Sequence, residues 1–335
     1  MTDAPTSIAP AELLAALKAA GEATRLRILA LLHAGEMTVS DLQRVLEQSQ
    51  PRISRHLRPL TEAGLVRRSR EGAWSYYRLS AAALRHLPAL ARLDPADPEL
   101  RADRKRLEAV RAEHAEAAAA FFASNAADWD RIRALHAPDE TVEAAMLDLV
   151  GREPVGSLLD IGTGTGRMLE VFAPLYREAL GMDASSEMLG IARAKLRERG
   201  MGHARVVRGD LLDPAVAPGP FDLVTMHQVL HFLDRPGEAV REAVRRLAPG
   251  GRIVIADFAP HEHEFLDREQ AHLRLGFSEN AVERWLRAAG AEPLATQRIP
   301  AERAEGLTVL LWLARQEADE GGAKGQVSRL HPAPM

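Results

Sequence analysis

Apolar positions recur along this chain with two different periods. In the stretch VSDLQRVL, Val39, Leu42, Val45 and Leu46 fall on one face of a helix, the signature of a 3.6-residue repeat. A short polar turn follows. Ile53, Leu57 and Leu60 then recur at i, i+4 and i+7 and predict a second helix, capped by Ser49 with Pro51 tolerated in its first turn. Pro59 lies inside that helix and is expected to kink or shorten it, because proline removes a backbone hydrogen bond. Leu65–Arg67 and Tyr76–Leu79 read as two strands of a hairpin around Glu71-Gly72.

The second half of the chain follows another pattern. From Gly156 to Gln316, apolar runs of strand length (SLLDIG, EALGMD, ARVVRGD, FDLVTMH, RIVIADF) alternate with helical stretches, which predicts an α/β fold with a parallel sheet covered on both faces. LAPGG reads as a turn into the fifth strand, and GLTVLLWLARQ as a last strand paired in a hairpin. Between the halves, DPADPEL carries two prolines and marks a boundary. Arg101–Val150 is rich in Ala, Arg and Glu and reads as connector helices. The expected organisation is a helical domain with a wing over 1–93, a connector over 94–150, a seven-stranded, mostly parallel domain over 151–316, and a disordered tail over 317–335.

Composition narrows the chemistry. A chain of 335 residues exceeds one ordinary core. It has no cysteine, which excludes a disulfide framework, thiolate zinc sites and a cysteine nucleophile. The start has no basic region followed by an apolar core, and no stretch reaches the roughly 18 apolar residues of a membrane span; a soluble, cytoplasmic protein is expected. The net charge of −4 argues against wholesale coating of nucleic acid. Yet Ser49–Arg78 holds seven arginines against Glu62 and Glu71, a local balance of +5, the electrostatic footprint of a DNA-binding module.

Within that patch Ser49, Gln50 and Arg52 sit at the N-terminal end of the second helix, the part that meets base edges in the major groove, where Arg suits guanine and Gln suits adenine. Ser54 shares its outer surface, Arg55 and His56 are expected on phosphate, and Arg70 in the wing on phosphate or an adjacent minor groove. GEATRLRILALL, SQPRISRHL, EAGLV and the Tyr-rich wing resemble the ArsR/SmtB family of winged helix-turn-helix repressors. The resemblance implies double-stranded operator DNA as partner. It also implies a homodimer formed by the helix around Ala11–Ala19 and the one following the wing. The family's thiolate motif is replaced here by GEMTVSDL, and His86 and His114 lack partners at helical spacing, so no metal site is expected.

A second motif runs from Asp160 to Gly166, DIGTGTG, where glycines let backbone pass close to a ligand. Alone it is a weak signal, since such turns also serve dinucleotides. The Gly-x-Gly-x-Gly spacing, Asp183 ending the next strand 23 positions on, and Asp210 ending the third resemble class I methyltransferases that use S-adenosylmethionine, across nearly the whole second half. The resemblance implies that Asp160, Gly162, Thr163, Gly164 and Gly166 approach that cofactor, that Asp183 accepts its ribose hydroxyls and Asp210 its adenine amino group. Met182, Ala184 and Leu211 are expected around the adenine, with Met188 and His227 nearby. Plainer roles stay open: Asp183 capping a helix at Ser185-Ser186, Asp210 ending a strand in solvent, and His227 and His231 packing rather than acting as bases. His261 and His263, alternating with Glu262 and Glu264, read as the start of a solvated lid, and Trp129-Asp130 as a lead-in helix.

Three functions are therefore expected in descending order. The first is a transcriptional regulator whose methyltransferase domain senses S-adenosylmethionine or S-adenosylhomocysteine, with methylation of a small molecule left open. The second is an active small-molecule methyltransferase with an autoregulatory DNA-binding domain. The third, a nucleic-acid or protein methylase, is weakest, because MHQVLH stands where a base-flipping enzyme carries an Asn-Pro-Pro-Tyr-like motif. No catalytic residue is singled out.

Overall fold

Helices α1 (Pro10–Ala20) and α2 (Ala23–His33) open the chain, and Glu22 caps the second, its carboxylate accepting the N–H groups of Thr24 at 3.0 Å and Arg25 at 2.9 Å. The structure, a computed structural model, describes residues 8–71, 74–126, 139–213, 216–261, 273–301 and 306–317. Strand β1 (Met37–Thr38) leads into α3 (Val39–Leu46). This helix starts with a capping box: Thr38 Oγ1 accepts from Asp41 N–H at 3.0 Å, and Asp41 accepts from Thr38 N–H at 3.1 Å. Two orphan donors are thus satisfied reciprocally. Helix α4 (Gln50–Glu62) follows.

Ser49 occupies the cap position of α4, but its hydroxyl makes no capping bond. The reason is local. Pro51 has no N–H to give, and the N–H groups of Arg52 and Ile53 are taken by the Ser49 carbonyl at 3.0 and 3.1 Å. Nor does Pro59 shorten the helix, which continues to Glu62. Ile53, Leu57 and Leu60 are buried on both sides of it, and tertiary packing of an apolar face outweighs one lost backbone bond.

Strands β2 (Val66–Glu71) and β3 (Trp74–Leu79) pair antiparallel from Val66 opposite Leu79 to Glu71 opposite Trp74. The hairpin is longer than its apolar residues suggest. Strand β1, too short for any periodicity, pairs with β3 through Met37 opposite Tyr77. Helices α5 (Ala81–His86) and α6 (Pro98–Asn125) complete this region. Arg27 grips the buried Asp103 of α6 with two bonds of 2.7 and 2.6 Å, and Arg106 adds a third at 2.7 Å. The first compact unit consists of residues up to Trp129 together with Leu230–Pro236 and Phe258–Ser278.

The second unit is built on a seven-stranded sheet. Its strands are β4 (Val155–Ile161), β5 (Tyr176–Asp183), β6 (Ala204–Arg208), β7 (Phe221–His227), β8 (Leu247–Phe258), β9 (Ala291–Ile299) and β10 (Val309–Gln316), in the order β6-β5-β4-β7-β8-β10-β9. The pairs among β6, β5, β4, β7 and β8 are parallel, and β9 and β10 form the antiparallel hairpin. Central strands such as β4 are buried on both faces, as their unbroken apolar runs require. The LAPGG segment lies within β8 as an irregularity: Phe221 faces Leu247 but Leu223 faces Arg252, and Gly250 has φ +74°. Helices α7 (Asp139–Val150), α8 (Arg167–Val171), α9 (Ser186–Glu198), α10 (Pro236–Arg245) and α11 (Glu279–Ala288) alternate with the strands. This is the doubly wound, Rossmann-like architecture of class I methyltransferases.

Candidate functional site

The strand order reverses between β4 and β7, since the chain steps from β4 to β5 and β6 on one side and then returns to place β7 on the other. In doubly wound sheets ligands bind outside the carboxyl ends of the strands at such a switch point. The turn Asp160–Gly166 leaves β4 there. Gly162, Gly164 and Gly166 have φ of +69°, +52° and +86°, a region that side chains rarely adopt. The turn is tied to β5, since the N–H groups of Gly162 and Thr163 both donate to the Met182 carbonyl, at 2.9 and 3.0 Å. A Cβ on Gly162 would come within 2.5 Å of Val229 Cγ2.

Asp183 ends β5 facing this turn. One of its oxygens accepts from Gly164 N–H at 2.8 Å and the other from Ser185 N–H at 2.9 Å. Burial pushes its carboxyl above the ordinary value, and the N–H donors of Ser185, Gly164 and Ala184 oppose the shift only in part. An ionised carboxylate has about four lone-pair sites, so even these three backbone donors leave acceptor capacity for a hydroxyl. Helix α9 is capped by Ser185, whose hydroxyl accepts from Met188 N–H at 3.2 Å. Ser185 thus serves as the helix cap, while Asp183 bridges the Ser185 N–H and the glycine turn.

Asp160 is almost wholly buried, and its Oδ1 accepts from Thr225 Oγ1 of β7 at 2.7 Å. Neither Thr225 nor this link follows from the local sequence. Met182, Met188 and Leu211 are buried, while Ala184 is exposed. Asp210 is exposed beyond the end of β6 and accepts from Leu212 N–H at 2.8 Å, forming a local turn. Arg167, the first residue of α8, is gripped by Glu143 of α7 at 2.7 and 2.5 Å, and this carboxylate holds the guanidinium above its ordinary value.

His227 is the last residue of β7, and Gln228 beside it has φ +52°. His231 lies in a 3₁₀ turn, Leu230–Phe232, with its ring 4.0 Å from that of Phe232 and 4.8 Å from that of Phe258. Trp129, Asp130, Glu262, His263 and Glu264 lie outside the described residues. Among the described residues no group of three or more His, Asp or Glu could hold a metal ion.

The candidate DNA-binding residues lie in the first unit. Ser49, Gln50, Arg52, Ser54 and Arg55 are all exposed along α4. His56 is not part of that row: it is half-buried, with Nδ1 3.3 Å from the Glu22 carboxylate. Arg70 lies on β2 opposite Ser75, its side chain outside the described residues. Arg67 and Arg68 are exposed on the same strand.

Comparison with known proteins agrees with both halves. Residues 22–68 match the bacterial regulatory protein, arsR family, and residues 159–255 match a methyltransferase domain. The arsenical resistance operon repressor of Escherichia coli is 48% identical over 75 residues, covering 22% of this chain and 61% of the repressor. The uncharacterized methyltransferase YcgJ of Bacillus subtilis is 30% identical over 151 residues, covering 42% of this chain and 58% of that protein. The chain thus spans less than two thirds of the length of either relative. A methyltransferase of Burkholderia thailandensis, solved with 1,6-didemethyltoxoflavin and S-adenosylhomocysteine bound, shares the fold with a TM-score of 0.51 at 24% identity, covering 62% of this chain and 90% of that one. The chain therefore carries a segment of arsR helix-turn-helix type and, further on, a segment of methyltransferase-domain type. No helix among the described residues is long and apolar enough to cross a membrane.

Proposed function

We propose that this protein is a transcriptional regulator whose methyltransferase domain binds S-adenosylmethionine or S-adenosylhomocysteine as the signal. The observation that carries the reading is Asp183. Its carboxylate already shapes the glycine turn through Gly164 and still has acceptor sites for ribose hydroxyls, beside Gly162, where a Cβ would collide with Val229. The same chain displays Gln50, Arg52, Ser54 and Arg55 on an exposed helix surface suited to operator DNA. Asp160, Gly162, Thr163, Gly166, Ala184, Met188, Asp210, Leu211 and His227 are the further residues assigned to the cofactor, and Ser49, His56 and Arg70 to DNA.

A homodimer is part of this reading. Helix α1 exposes Leu13, Leu14 and Leu17, and α5 exposes Leu84, apolar surface that a second copy would cover. Domain limits at 93, 150 and 316 and a cytoplasmic location complete it. Occupancy of the cofactor site would bias the dimer between states of different operator affinity, which requires only that the ligand prefer one of them.

Turnover is the second reading, favoured by the sequence likeness to small-molecule methyltransferases. When bound, S-adenosylmethionine supplies an electrophilic methyl group, and the chain need contribute only alignment and desolvation to an activated acceptor.

The test is to titrate purified protein with each ligand while following binding to its own promoter DNA. A change in operator affinity with either ligand supports the sensor. No change with both would overturn it.

A further inference from the structure

The first unit contains more than the winged helix. Leu230–Pro236 and Phe258–Ser278 belong to it, although Leu230–Pro236 lies inside the stretch that matches the methyltransferase family. These segments continue directly from the ends of β7 and β8. Leu230 follows Val229, the residue whose side chain bars any Cβ on Gly162 of the glycine turn.

Inside the first unit the two segments are bound to each other and to the wing. The His231 carbonyl accepts the N–H groups of Leu273 at 2.9 Å and Arg274 at 3.1 Å. The hydroxyl of Tyr76, in strand β3, donates to the Leu273 carbonyl. The Arg274 guanidinium lies 3.9 Å from the centre of the Tyr76 ring, pairs with Glu36 at 3.1 Å and donates to the Asp234 carbonyl at 3.3 Å. Arg111 of α6 holds the Asp234 carboxylate at 2.8 Å, and Glu36 also faces Arg78 of β3 at 3.7 Å.

Arg274 is only 3% exposed. A buried cation is costly unless stacking, hydrogen bonds and a counter-charge all meet it. A planar guanidinium can satisfy all three at once, whereas a lysine ammonium cannot stack and fork together. A change in the path of the chain between Val229 and His231 must either move with Leu273 and Arg274 or break these bonds, and both reach β3, one of the two strands of the wing.

We infer that Arg274, Tyr76 and Glu36 form the link through which occupancy of the glycine turn alters the wing and so operator affinity. The inference rests on the sensor reading. Its test uses the full-length protein and the variants Arg274→Met and Tyr76→Phe, titrated with S-adenosylhomocysteine and operator DNA separately and together. Both variants are expected to keep the ligand affinity and the ligand-free operator affinity of the parent. The ligand-induced change in operator affinity, on the order of 5–150-fold for typical coupling, is expected to shrink to about twofold or less. Tyr76→Phe removes a single oxygen and keeps the experiment decisive if Arg274→Met fails to fold. A parent protein that responds while a folded variant responds equally overturns this inference alone. A parent that responds to neither S-adenosylmethionine nor S-adenosylhomocysteine overturns the sensor reading and the inference with it.

Discussion

Asp183 accepts the backbone N–H of Gly164 at 2.8 Å, so the carboxylate that ends β5 also sets the shape of the glycine turn beyond β4. One group thus holds the turn and, in the reading proposed above, also offers acceptors to a ligand. Its substitution by asparagine leaves one oxygen where two are used. Asp183→Asn is expected to weaken S-adenosylhomocysteine binding about tenfold or more, since hydrogen bonds to charged groups are worth about 1.5–3 kcal/mol. Isothermal titration measures this directly.

The same carboxyl makes binding dependent on pH. Burial raises its pKa, with backbone N–H groups opposing in part. On acidification it therefore takes up a proton at higher pH than an ordinary carboxylate, and ligand affinity should fall in that window. Stability of the ligand-free fold runs the other way: the folded state holds this proton more firmly than the unfolded chain, so ionisation costs stability as pH rises from the ordinary carboxyl value through the raised one. Affinity measured from neutral to acid pH should show the fall in the parent protein and a flatter profile in Asp183→Asn.

Gly162→Ala tests the turn by shape rather than charge. A left-handed φ costs a side chain about 1–2 kcal/mol, and the new methyl would stand 2.5 Å from Val229 Cγ2. Loss of ligand-induced stabilisation in a thermal melt is expected, with operator binding by the ligand-free protein retained. Unchanged ligand binding would remove the turn from the site.

Arg52 and Arg55 are both exposed on α4 but are expected to differ in what they read. Arg52→Ala should cost about 1–3 kcal/mol and relax preference at one base pair, whereas Arg55→Ala should weaken all sequences alike and lower the salt slope by about 1. Operator binding across a salt series and a set of single base changes separates the two.

Asp103 anchors α6 to α2 through Arg27 and draws in Arg106. Removing one partner of a buried ion network costs about 3–5 kcal/mol. Because Arg27 and Arg106 keep partial access to water, Asp103→Ala is expected near the lower end of that range in urea unfolding.

What the sequence made legible is what local chemistry writes. The apolar face of Val39–Leu46 yields α3 with those limits, and the buried runs from Val155 to Phe258 yield the parallel sheet. Asp160, Asp183 and the glycines are brought to the switch point as strand order demands. Links between distant residues left no periodic trace. Thr225 meets Asp160 across 65 positions, and Tyr76 meets Leu273 across 197. His56, expected on phosphate, also lies beside Glu22, and nothing in its helical spacing reveals a carboxylate capping a neighbouring helix. Ser49 shows the opposite lesson: the right residue stands at the cap, yet the proline two places on removes the donor it would have served.

The first unit draws on residues from three separate stretches of the chain, and this bears on how such a protein can be taken apart or recombined. Cutting after the connector would strip the winged helix of His231, Leu273 and Arg274 and leave Tyr76 and Glu36 facing solvent. A single crossover between genes would not exchange its first unit cleanly for the winged helix of another protein. Any chimera would have to carry the two later segments along, so the two compact units are inherited as one.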